Sequence, residues 1–152
     1  MLSINKSVSN VPIVILVLFF ILALVGFSDA TYLAAKHFKG EEINCSLLNG
    51  CTKVTTSVYS TVAGIPISLF GSFYYLTFIL GLVLYWDIRN GKILYWLSLF
   101  TVSGFIVSLI LFGIQALILN AYCLYCIVSA IICTLLFILG MWILKYKDNG
   151  SN

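Results

Sequence analysis

The chain has 152 residues, 62% of them hydrophobic and only 9% charged, with a mean hydropathy of +1.12. Soluble domains carry about 25% charged residues, so this composition describes a membrane protein and leaves no room for a separate water-soluble domain. The net charge of +3 bears on topology and points to no nucleic acid.

Four apolar stretches follow one another, at residues 11–35, 65–86, 93–119 and 122–144. Each meets the roughly 20 residues needed to cross a hydrocarbon core. The first exceeds the roughly 7–15 apolar residues of a secretory signal and has no clear small-residue cleavage site before Lys36, so it reads as a retained helix. Residues 36–64 form a long loop that carries Cys45 and Cys51 as "CSLLNGC". Gly64 and Pro66 break the chain ahead of the second span, and Gly71 lets a neighbouring helix approach closely. The second and third spans are joined by "DIRNGK" (87–92), and the third and fourth by "NAY" (120–122), after which Cys123 and Cys126 open the fourth as "CLYC". Tyr85, Trp86, Tyr95, Trp96 and Trp142 fit interfacial belts on the inner side. The expectation is an all-α integral membrane protein, a four-transmembrane-helix bundle forming one domain over 1–152.

Four spans put both termini and the 87–92 turn on one side. That side holds Lys6, Arg89, Lys92, Lys145 and Lys147, whereas the long loop has Lys36, Lys39 and Lys53 beside Glu41 and Glu42. Basic excess marks the cytoplasmic side, so the termini are expected inside and all four cysteines of the two pairs outside a cell membrane. Disulfides persist on that outer side. Cys133 lies about 10 Å beyond Cys126 along the helix and reads as a small buried hydrophobe.

Cysteines three apart share a helix face, and the unpaired N–H groups of a helix start favour a thiolate. Such a spacing also occurs among simple packing residues. A second pair on the same membrane side opens another use, a relay in which two dithiols exchange disulfides by thiolate attack. Zinc competes for four cysteines, although a C-x₅-C pair falls outside the usual knuckle spacing. A structural or assembly protein, or a transporter subunit, with static outer disulfides is the rival reading from a different class.

"CSLLNGCTKVTTS", then "GIPISLFG", then C-x-x-C at the start of the last helix resembles the vitamin K epoxide reductase family, in particular its prokaryotic quinone-linked thiol oxidases. The resemblance runs from about Asp29 to Cys126. It implies that Cys45 and Cys51 are a shuttle pair, and that Cys123 and Cys126 are the active pair beside a quinone of the ubiquinone or menaquinone type. It also implies an extracytoplasmic thioredoxin-like (DsbA-like) protein as electron donor, which would be a separate partner because no such domain follows "KYKDNGSN". Ser57 matches a serine of the family in a short half-helix capping the bundle, and "VTTSVYSTVAG" (54–64) suits that half-helix; Ser57 as a plain helix cap is the alternative. Gln115 is placed to donate a hydrogen bond to a quinone carbonyl, or else to bond between helices. Leu124 stands where members often have proline. Ala130 and Ile67 stand where the animal enzymes carry tyrosine and asparagine, so reduction of vitamin K epoxide itself is not expected. Asp29, the one carboxylate inside an apolar stretch, reads as snorkelling to the outer interface.

Overall fold

The computed structural model describes residues 11–40 and 51–149. Five α-helices are present among them: α1 (Ile13–Lys39), α2 (Cys51–Thr55), α3 (Ile67–Ile88), α4 (Gly91–Gly113) and α5 (Leu124–Asn149). α1, α3, α5 and α4 with its extension to Leu119 are each long and apolar enough to cross a membrane. Their outward side chains suit lipid. Leu117 is 82% exposed, Trp96 66% and Phe73 61%, a band of large apolar groups that water would disfavour and hydrocarbon accepts.

Local chemistry sets where each helix stops. α1 continues four residues past the expected 35, because Lys36, His37 and Lys39 stabilise the negative end of the helix dipole and the first left-handed residue is Gly40 (φ +64), whose N–H bonds His37 O at 3.1 Å. The loop expected at 36–64 therefore begins at Gly40. α3 closes on Arg89 (φ 54), and the side chain of Asn90 accepts from the Lys92 N–H at 3.1 Å to start α4. Residues 65 and 66 are not helical as expected. Ile65–Pro66 pairs with Thr61–Val62 in a two-residue hairpin, turned by Ala63 and Gly64, both with positive φ.

The half-helix expected over 54–64 is likewise replaced by three short pieces: α2, a 3₁₀ turn (Val58–Ser60) and that hairpin. Hydroxyls compete with the helix ladder here, Ser57 Oγ donating to Val54 O at 2.8 Å and Ser60 Oγ to Ser57 O at 2.7 Å.

α1 packs most extensively on α3, and α4 on α5. Gly71 sits on the α1 interface, where an added methyl group would touch Ala30 Cβ at 3.4 Å, and the missing side chain of Gly26 admits the ring of Tyr75. Phe19, Phe78, Leu82, Leu94 and Leu136 fill the centre. Tyr85 joins them at 3% exposed rather than the interfacial belt, because Phe78, Leu82 and Tyr85 recur at helical spacing on the inward stripe of α3. Trp86 rests half-buried on Phe20, with ring centres 5.3 Å apart, while Trp96 and Trp142 face outward.

At its C-terminal end α4 widens into a π-helical stretch (Ile114–Leu119), closed by left-handed Asn120 (φ 45) and by the Ala121 N–H bonding Gln115 O at 3.2 Å. Residues 120–123 turn the chain. Thus α5 begins at Leu124, with Cys123 at its mouth rather than in its body.

Candidate active site

The Ile127 N–H donates to Cys123 O at 3.0 Å, which makes Cys123 the residue capping α5. An N-cap side chain meets the unpaired N–H groups of the first turn. Here the Cys126 thiol, followed by the backbone N–H groups of Cys126 and Tyr125, hydrogen-bonds the Cys123 sulfur and lowers its pKa from 9.0 to about 7, against the opposing effects of burial and of Asp29. Cys123 thus ionises more readily than an ordinary thiol, beside a thiol that donates to it. Gln115 fixes the approach to this turn, its Oε1 accepting the Cys123 N–H at 3.1 Å.

The Leu124 N–H, next along the same helix start, donates to Cys51 Sγ at 3.4 Å. Cys51 and Cys123 are 1% and 0% exposed and pack together with Leu33, Val54 and Ala121. Two sulfurs therefore share one set of N-terminal N–H groups. Cys51 is held in a disulfide, while Cys123, Cys126 and Cys133 are free thiols. Cys45, expected from the sequence to act with Cys51, lies outside the described residues.

A cavity of about 490 Å³ opens beneath, lined by all four spans. Cys126 borders it; Cys123 does not, so the two cysteines of the pair face different neighbours. Apolar and aromatic side chains make most of the wall. Phe70, Phe73, Phe100 and Val107, from α3 and α4, line it while also being exposed on the outside of the bundle, so the cavity is open toward lipid between those helices.

Ser57 and Gln115 both border this cavity. The hydroxyl hydrogen of Ser57 is committed to Val54 O, leaving Ser57 able to accept from a ligand but not to donate. Gln115 accepts from the backbone of the α5 mouth, and its side chain also hydrogen-bonds Cys126. Cys133 is buried, as the sequence indicates, but it also borders the cavity and meets Tyr75 Oη at 3.2 Å; that hydroxyl reaches Ser129 Oγ at 2.9 Å as well.

Asp29 does not snorkel to the interface. α1 runs ten residues, about 15 Å, beyond it, so its half-buried carboxyl lines the cavity instead. Sequence reading also passed over Tyr75 and Ser129. The available signal was helical spacing: Cys126, Ser129, Ala130 and Cys133 fall on one face of α5, and all border the cavity.

The sequence profile of the vitamin K epoxide reductase family matches residues 17–141. No curated protein matches the chain.

Proposed function

Since the chain belongs to the vitamin K epoxide reductase family, and is therefore a membrane thiol–disulfide oxidoreductase, we propose that it makes disulfides de novo by passing electrons from an extracytoplasmic thioredoxin-like protein to a membrane quinone. Members of the family use quinone-type electron carriers. The observation that carries the reading is the division of labour at the mouth of α5: Cys123 is packed with Cys51, and Cys126 faces an apolar cavity open to lipid.

The relay begins when a thiolate of the partner attacks Cys45 of the Cys45–Cys51 disulfide and releases Cys51; the partner's second thiol then frees Cys45 and leaves the partner oxidised. Cys51 attacks Cys123 of the Cys123–Cys126 disulfide and expels Cys126. Cys45 next attacks Cys51, restoring the shuttle disulfide and displacing Cys123. A thiol with a pKa of about 7 is a good leaving group, which favours this resolution. The resulting state, with Cys51 oxidised and Cys123 and Cys126 reduced, is the one described above. Two electrons then pass from the helix pair to quinone, which takes up two protons, giving quinol and the Cys123–Cys126 disulfide.

The chain's own residues fit such a substrate. The cavity volume lies within the roughly 300–1,000 Å³ usual for small-molecule sites, and its aromatic walls suit a planar ring. Gln115, which hydrogen-bonds Cys126, and Ser57 put one donor and one acceptor on the cavity wall. In this reading both termini are cytoplasmic. The test is oxidation of a reduced thioredoxin-like protein by the purified enzyme in lipid nanodiscs with and without ubiquinone or menaquinone. Oxidation that requires quinone supports the reading; equal rates without quinone reject it.

A further inference from the structure

The backbone N–H groups at a helix start have no partner inside the helix, and at the mouth of α5 each has another use. Gln115 Oε1 takes the Cys123 N–H at 3.1 Å, the N–H groups of Tyr125 and Cys126 serve the Cys123 sulfur, and the Ile127 N–H closes on Cys123 O at 3.0 Å. These bonds all stay within α5 and the turn that leads into it. The Leu124 N–H instead reaches a separate element, donating at 3.4 Å to the sulfur of Cys51, the first residue of α2. Cys51 is buried, so water does not supply a replacement donor. The Leu124 nitrogen is also joined directly to the Cys123 carbonyl carbon, so this one bond ties the sulfur of Cys51 to the backbone of Cys123.

We propose that the Leu124 N–H stabilises the Cys51 thiolate and holds it against Cys123 while the shuttle pair passes its electrons to the helix pair. This rests on the relay described under the proposed function. When a reductant thiolate attacks Cys45, a bond between Cys45 and the reductant forms, the Cys45–Cys51 bond breaks, and Cys51 leaves with the electron pair of the broken bond. The N–H contact seen with oxidised Cys51 then becomes a hydrogen bond to a charged acceptor, which is the stronger kind. Cys51 next uses that electron pair to bond Cys123, and Cys126 leaves with the pair of the Cys123–Cys126 bond. One backbone donor thus favours departure of Cys51 from its own partner and keeps its sulfur beside the next target.

Leu124 is the first residue after the cap of α5, a position that accepts proline, so Leu124→Pro deletes this N–H without removing a helical bond. Leu124→Ala keeps the N–H and trims the side chain packed on the cluster around Cys51. Each is combined with Cys45→Ala in full-length protein in nanodiscs, reduced, and alkylated with iodoacetamide across pH, with every cysteine read separately by peptide mass spectrometry. Near neutral pH, Leu124→Pro should slow alkylation of Cys51 about tenfold, the scale of a hydrogen bond to a charged group, while the alkaline plateau is retained. Leu124→Ala should keep the parent profile at Cys51, and Cys123 should keep its own profile in both. In protein that retains Cys45, dithiothreitol should open the Cys45–Cys51 disulfide more slowly after Leu124→Pro. An unchanged Cys51 profile in Leu124→Pro, an equal slowing in Leu124→Ala, or an equal slowing at Cys123 would each overturn the assignment. If Cys45→Ala/Cys126→Ala protein with Leu124 intact forms no Cys51–Cys123 disulfide, the relay beneath the proposal is rejected instead.

Discussion

Cys126 and Cys133 lie two turns apart on one face of α5 and border the same cavity, yet their surroundings differ in kind. Cys126 belongs to the first turn, where backbone N–H groups have no helical partner and where Cys123 and Cys51 gather on them. Cys133 lies where the helix ladder is closed, and its neighbours are the hydroxyl of Tyr75 and the packed core. On the proposed function, what separates a redox thiol from a packing thiol is position relative to the helix end, not residue type or face. A helix start supplies several aligned donors to a sulfur; a helix interior supplies none.

The largest expected effect breaks that comparison if it fails. Cys123→Ala or Cys126→Ala should lower quinone reduction on the order of 10³-fold or more, since members of a catalytic unit are not replaceable singly. Cys133→Ala, measured in the same assay, should keep its rate within about twofold, with a stability loss of about 1 kcal/mol for a small buried group. A large loss of turnover in Cys133→Ala would place it in the relay.

Cys51→Ala sharpens the comparison from the other side. Oxidation of the protein partner should stop, while dithiothreitol, small enough to reach Cys123 and Cys126 without the shuttle, should still drive a substantial part of quinone reduction. Parallel assays with the two reductants read this directly.

Gln115→Leu should give a smaller effect, because it leaves the sulfurs in place and removes the acceptor of the buried Cys123 N–H together with the amide that meets Cys126. An unpaired buried donor costs about 1–3 kcal/mol, so thermal stability should drop accordingly and turnover should fall about tenfold as the α5 mouth loosens.

The smallest effect is a titration. In a Cys45→Ala/Cys51→Ala variant, ultraviolet thiolate absorbance should rise as pH increases through about 7, the lowered pKa of Cys123, rather than through the ordinary thiol value of 9.0. Protonation on the acid side should remove that signal, and Cys123→Ala should lack it. A midpoint near 9.0 would show that the helix start does not stabilise this thiolate.

Number, order and approximate extent of the spans were legible because each is a long apolar run, and family membership was legible because the cysteine order and "GIPISLFG" are local strings. The segment between the first two spans was less legible: hydroxyl side chains at Ser57 and Ser60 redirect backbone bonds that a periodicity argument assigns to a helix. Asp29 was misplaced for a related reason, since its apparent nearness to a helix end depended on α1 stopping at 35 instead of Lys39. Tyr85 shows the limit of reading aromatics as belts, because helix rotation, fixed only by packing, decides which ring turns inward. The π-helical widening that brings Gln115 to the α5 mouth has no sequence signal we can identify.

The central claim is that electrons cross from the shuttle pair to the helix pair between Cys51 and Cys123. In a Cys45→Ala/Cys126→Ala protein neither member can be resolved by its own partner, so mild oxidation in membranes followed by peptide mass spectrometry should recover a Cys51–Cys123 disulfide as the main crosslink. Failure of that crosslink to form in folded protein, or a main crosslink from Cys51 to Cys133 instead, would contradict the account.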